Sequence, residues 1–139
     1  MGYNTRFSGT IYFAQTISVA EIRELRQWIG GIDVRDIEPN AKYGFCIIDL
    51  DIDEDMTGLC WNGSEKTYFL EQQINWVVSK MRLKFPNFTL NGEIEAVVED
   101  GDRYQIVVNA GSATRIQLQS KSERIECPYC GREFQIRMK

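Results

Sequence analysis

The stretch YGFCIIDLDIDEDMTGLCWNG, residues 43–63, decides the fold. Ile48, Leu50 and Ile52 alternate with Asp49, Asp51 and Asp53, the period of two that marks a strand with one buried face and one wet face. Leu59 and Trp61 flank Cys60 in the same way beyond an acidic tip. The stretch therefore reads as a hairpin of residues 43–53 with residues 56–63. With Glu54 and Asp55 as the tip, Ile48 faces Trp61, Leu50 faces Leu59 and Ile52 faces Thr57. All apolar partners then share one side, which is how burial selects a register. The same register puts Cys46 beside Ile48 on the buried side and sends Asp49, Asp51 and Cys60 to the other.

Upstream, residues 5–14 read as a strand, with Phe7, Gly9, Ile11 and Phe13 on one face. A helix follows, opened by Ser18 and Glu21 as a capping box. It carries Val19, Ile22, Leu25 and Ile29 on one apolar face and is closed by Gly30 and Gly31. Residues 32–42 read as irregular. Downstream, residues 66–85 form a second helix, with Ser64 or Thr67 as its cap, Leu70, Ile74, Val77, Val78 and Met81 as its buried stripe, and Pro86 as its stop. Two strands come next, with Leu90, Gly92, Ile94, Ala96 and Val98 alternating in the first and Tyr104, Ile106 and Val108 in the second. Parity favours an odd loop around Gly101, pairing Val98 with Tyr104, Ala96 with Ile106 and Ile94 with Val108. Arg115, Gln117 and Gln119 alternate with Ile116 and Leu118 in a further strand.

The order is that of a ferredoxin-like βαββαβ unit with extra strand added. The expected fold class is α+β, an antiparallel sheet of five or six strands with two helices on one face. Residues 1–118 form the domain and residues 119–139 a short tail. The 139 residues suffice for one core, and 43% hydrophobic with 26% charged residues is the balance of a globular chain.

The chain contains no histidine. That excludes Ser-His-Asp and Cys-His catalysis and mixed Cys/His zinc sites. With no catalytic constellation in view, the expectation is a protein that is not an enzyme. The net charge of -4 disfavours non-specific nucleic-acid binding. No apolar run approaches a membrane span, and residues 1–5 lack the basic and apolar regions of a signal peptide, so a cytoplasmic setting is expected.

Three features carry candidate chemistry. The tail holds Cys127-Pro128-Tyr129-Cys130-Gly131, which resembles the knuckle of zinc ribbons. Cys127 and Cys130 are half of a four-thiolate zinc site. Cys46 and Cys60, a second chain in a homodimer, or a partner could complete it, and the alternatives are a metal-free tail or a redox pair. The hairpin carries Asp49, Asp51, Asp53, Glu54 and Asp55, and residues 33–55 hold eight acids against Arg35 and Lys42. A calcium loop fails there, because Glu54 stands where glycine is required and Cys60 where glutamate is required. An acidic face for a basic partner fits, and so does a strand edge guarded by charge. Lastly, Trp61, Asn62, Ser64, Lys66 and Tyr68 join strand to helix. Glycine, hydroxyls and a lysine at a helix start could receive an anion, although P-loop spacing is missing and a plain capped junction is the simpler reading.

Met1-Gly2-Tyr3-Asn4-Thr5 with Phe7-Ser8-Gly9, together with Trp61 and Gly63-Ser64-Glu65-Lys66-Thr67-Tyr68, resembles an uncharacterised family of small bacteriophage and prophage proteins. The Phe85-Pro86-Asn87-Phe88 step fits the same pattern, and these motifs are scattered over residues 1–118. The resemblance implies a phage setting and brings no activity with it. It implies a non-enzymatic accessory protein that binds and inhibits or redirects a host macromolecule, such as a defence component, through its acidic surface. The alternative is a nucleotide or nucleic-acid binding module using the 61–68 junction or the tail, whose five basic residues exceed its three acidic ones.

Overall fold

A computed structural model describes residues 5–118. The first expected strand is two segments, β1 (Thr5–Ser8) and β2 (Ile11–Phe13), separated at Gly9 and Thr10. Both pair antiparallel with β5 (Leu90–Val98) in one continuous register, from Thr5 opposite Val98 to Phe13 opposite Leu90. The hairpin is β3 (Leu50–Ile52) and β4 (Gly58–Trp61), and β4 lies against β2. Strands β6 (Arg103–Asn109) and β7 (Ser112–Gln117) extend the sheet beyond β5. The order β3-β4-β2-β5 is the ferredoxin-like arrangement, with β6 and β7 appended at one edge, giving seven antiparallel strands and two helices among the described residues.

One face of this sheet is the core. Phe7, Ile11, Leu50, Leu59, Leu90, Ile94, Ala96, Ile106 and Val108 are buried there. They pack with Leu70, Ile74, Val77, Val78 and Met81 of α2 (Leu70–Met81) and with Leu25 of α1 (Val19–Leu25). Each such side chain contributes about 1.5–3 kcal/mol of burial. The turn that follows α1 meets α2 edge to face through Trp28 and Trp76, whose rings are 5.7 Å apart. Arg6, Ser8, Glu93, Val97 and Arg103 occupy the other, open face. Gly58 is where β4 and β2 come closest. A Cβ there would lie 2.1 Å from the Ile11 carbonyl oxygen, so only glycine fits.

Both hairpins keep the expected parity and shift by two residues. Leu50 pairs with Trp61 and Ile52 with Leu59. The cause is Asp53, whose carboxylate accepts the Thr57 and Gly58 amides at 2.7 and 3.0 Å and the Thr57 hydroxyl at 2.6 Å. That clamp closes a four-residue turn, 54–57, in place of a two-residue tip. Likewise Ala96 pairs with Tyr104 and Ile94 with Ile106. Here the loop is Glu99, Asp100 and Gly101, with Gly101 at φ +101 as the left-handed residue after a tight turn.

The expected strand over residues 43–53 is regular only from Leu50. Before it, the chain turns onto the segment after α1: Ile48 donates to Ile32, Val34 donates to Cys46, and Ile47 bridges Asp33. Alternation therefore fails, since Ile48, Asp49 and Leu50 are all buried while Cys46 is exposed, contrary to its expected place beside Ile48. Residues 32–42 are not wholly irregular, because Asp33 caps a single 3-10 turn, Val34–Asp36. The capping box of Ser18 and Glu21 is present. The second helix starts later than residue 66. Its cap is Phe69, in the left-handed region at φ +52, and neither Ser64 nor Thr67 caps it. The expected tail, residues 119–139, lies outside the described residues.

Candidate functional site

The five acids of the hairpin separate into three situations. Asp49 is buried, and its backbone amide donates to the Gln73 side chain at 2.8 Å. Asp53 is spent on the turn, and those donors hold its carboxyl below the ordinary value against the opposing effect of burial. Asp51, Glu54 and Asp55 are exposed. Cys60 stands opposite Asp51. Burial first, then the charges of Asp53 and Asp51, push its thiol up.

The clamped turn has a second consequence. It holds Met56 at φ +59, a conformation that an unbranched L side chain adopts only under constraint, and leaves it 47% exposed. Met56 forms one wall of a groove of about 570 Å³. Tyr12 and Phe13 of β2 make the floor, and Ile17, Val19 and Ile22 make the opposite wall. Val19 and Ile22 belong to the apolar face expected to pack α1 on the core. Only Leu25 and Ile29 of that face are buried, and Val19 is 72% exposed. The groove is thus overwhelmingly apolar, and the exposed acids Glu54 and Asp55 precede Met56 in the chain. A methionine inside an acidic turn is the signal that sequence reading passed over.

The 61–68 junction is built by side chains capping their own loop. Asn62 accepts the amide and hydroxyl of Ser64 at 3.0 and 2.8 Å, and the Trp61 indole donates to Thr67 at 2.8 Å. The five expected ligand residues do not converge. Trp61 packs edge-on against Phe7 at 5.3 Å, and Asn62 with Ser64 is engaged within the turn. Lys66 and Tyr68 instead line a separate pocket of about 270 Å³ with Phe69, Tyr104 and Arg115. The Arg115 guanidinium lies 3.7 Å from the centre of the Tyr104 ring. Arg115 pairs across from buried Ile106, which puts it on the core side of the sheet. A cation at a core-parity position was the available signal for this pocket.

Cys127 and Cys130 lie outside the described residues, as does any zinc site they complete. Among the described residues no group of three or more His, Cys, Asp or Glu is placed to hold a metal ion. No helix among them is long and apolar enough to cross a membrane. No family model, curated protein or solved structure matches the chain.

Proposed function

We propose that this protein is a non-enzymatic, phage-type binding module. It holds a basic amphipathic segment of a host protein in the groove between the β3–β4 turn and α1, and so inhibits or redirects that protein. One observation carries the reading: exposed Tyr12, Val19 and Met56 line a single groove, and the exposed acids Glu54 and Asp55 directly precede Met56 in the chain. Contiguous apolar surface rimmed by charge marks an interaction site more often than chance exposure does. Methionine and tyrosine are favoured contact residues, because one adapts its shape and the other offers a large rigid face. The acids select a cationic partner and speed its approach. A helix presenting apolar residues at one face with lysines or arginines beside them has the matching chemistry. The phage setting rests on the resemblance of the scattered motifs.

The test is fluorescence anisotropy with a labelled amphipathic peptide of lysine and leucine, beside its glutamate–leucine counterpart. The lysine peptide is expected to bind and the glutamate peptide to fail. Met56→Asp and the pair Glu54→Lys with Asp55→Lys are each expected to weaken binding by about tenfold or more. Equal binding of the two peptides, or variants that bind like the parent, would sink the reading.

A further inference from the structure

The sheet is longer than the helical layer that covers it. Beyond the start of α2, the core face continues through Val98 of β5, Tyr104 of β6 and Arg115 of β7, and residues 66–69 close over it as a wall. We propose that this pocket binds a nucleoside phosphate unit, with the base against the aromatic rings and the phosphate between Lys66 and Arg115.

Charge is the first argument. Arg35, Lys80, Lys84 and Arg103 each have a carboxylate partner. Lys66 and Arg115 are two of the seven described cations without one, and both line this pocket. In a chain of net charge -4, two unpaired cations on one small concavity form a local site for an anion. Arg115 is also presented in a particular way. Stacked on Tyr104, its plane is held while its edge keeps N–H donors for a planar or tetrahedral oxyanion.

The second argument is the helix start. Phe69 borders the pocket and is the cap of the 12-residue α2, with no side-chain bond to the first-turn amides. The positive end of the helix therefore adds to the same field. Phe69 occupies its left-handed conformation as a non-glycine residue, a strained placement, and both it and Tyr68 line the pocket while remaining exposed.

Shape and the aromatic lining narrow the class. A space of about 270 Å³ sits at the low end of small-ligand sites, suited to one nucleotide unit and too small for a dinucleotide. Aromatic faces take any base by stacking. An inorganic anion alone would leave the rings unused.

Isothermal titration of the full chain with AMP, GMP, CMP and UMP tests the proposal. At least one is expected to bind with Kd below about 1 mM, and its nucleoside and inorganic phosphate to bind about tenfold more weakly. Arg115→Gln and Lys66→Gln are each expected to weaken it by about tenfold, with an unchanged Tm showing that both variants fold. A 5′-phosphorylated trinucleotide identifies the source. Tighter binding than the monophosphate assigns a chain end, and equal or weaker binding assigns the free nucleotide. No binding below about 1 mM, phosphate matching the nucleotide, or parent-like binding by both variants would overturn the proposal.

Discussion

The side-chain oxygen of Gln73 accepts the backbone N–H of Asp49 at 2.8 Å, fastening the start of the acidic hairpin to the buried face of α2. The same carboxamide donates to the Tyr68 carbonyl at 3.0 Å, so one fully buried glutamine also secures the junction wall of the pocket lined by Lys66 and Arg115. The buried Asp49 amide has no water to fall back on once the core has closed.

Gln73→Met keeps the volume and removes both bonds. It leaves the buried Asp49 donor unpaired, at a cost of about 1–3 kcal/mol, while the Tyr68 carbonyl lies in an exposed residue where water can replace the bond. The expected loss is about 2 kcal/mol, read from urea unfolding with an unchanged m-value. A loss below about 1 kcal/mol would mean that the loops relax onto other partners.

Glu38 predicts an acid transition. It accepts Lys80 at 2.5 Å, the Tyr43 hydroxyl at 2.6 Å and the Trp76 indole at 3.0 Å. Lys80 first, then Tyr43 and Trp76, bring its carboxyl from the ordinary 4.5 to about 2. The folded value is the lower one, so this contribution is complete above about pH 4.5 and is lost as pH falls toward 2. Its size is on the order of 1 kcal/mol, because the side chain keeps 29% exposure and solvent screens it. Asp33, held at about 2 by Arg35, titrates in the same window, so the informative quantity is a difference. Glu38→Gln should show a shallower fall in stability between pH 4.5 and 2 than the parent; parallel curves would remove Glu38 from the account.

Most of the fold was readable because burial imposes a period. The parity of 48, 50 and 52 and of 94, 96 and 98 put the right residues on the core side, and the βαββαβ order then left few ways to stack the sheet. Register was less readable, because it is set by the turn. Asp53 is one acid among five in the sequence, and only its reach to Thr57 and Gly58 distinguishes it. Gln73 carried a usable signal: it lies three residues after Leu70 and four before Val77, a polar residue on an apolar stripe. The two pockets were harder to read, since each joins residues from several elements. Arg115 reaches Lys66 only through the pairing of β6 with β7, and Val19 reaches Met56 only because α1 stops short of covering its own first turn.

The tail gives a prediction that depends on sequence chemistry alone. Cys127 and Cys130 supply two thiolates and a zinc site takes four ligands, so a second chain is one of the ways to complete the proposed site, and it is the one predicted. Native mass spectrometry is expected to find one zinc per two chains and to lose both metal and dimer on chelation. Cys130→Ser should give the same monomer without chelator. Metal-free monomers from the untreated parent would contradict it.

Strain at Met56 and at Ala110 separates function from architecture. Both are non-glycine residues at positive φ, +59 and +53, where glycine is preferred by about 1 kcal/mol. Ala110 sits in the two-residue connection of β6 to β7, between Asn109 and Ser112, away from the groove. Ala110→Gly should relieve strain and leave binding of the lysine–leucine peptide unchanged. Met56→Gly should relieve the same strain and remove one groove wall, so stability rises by up to about 1 kcal/mol while peptide affinity falls by about tenfold. That opposition is what a residue kept strained for contact predicts. If Met56→Gly lowered stability and left affinity intact, Met56 would instead be packing the turn, and the acids beside it would guard the strand rather than a partner.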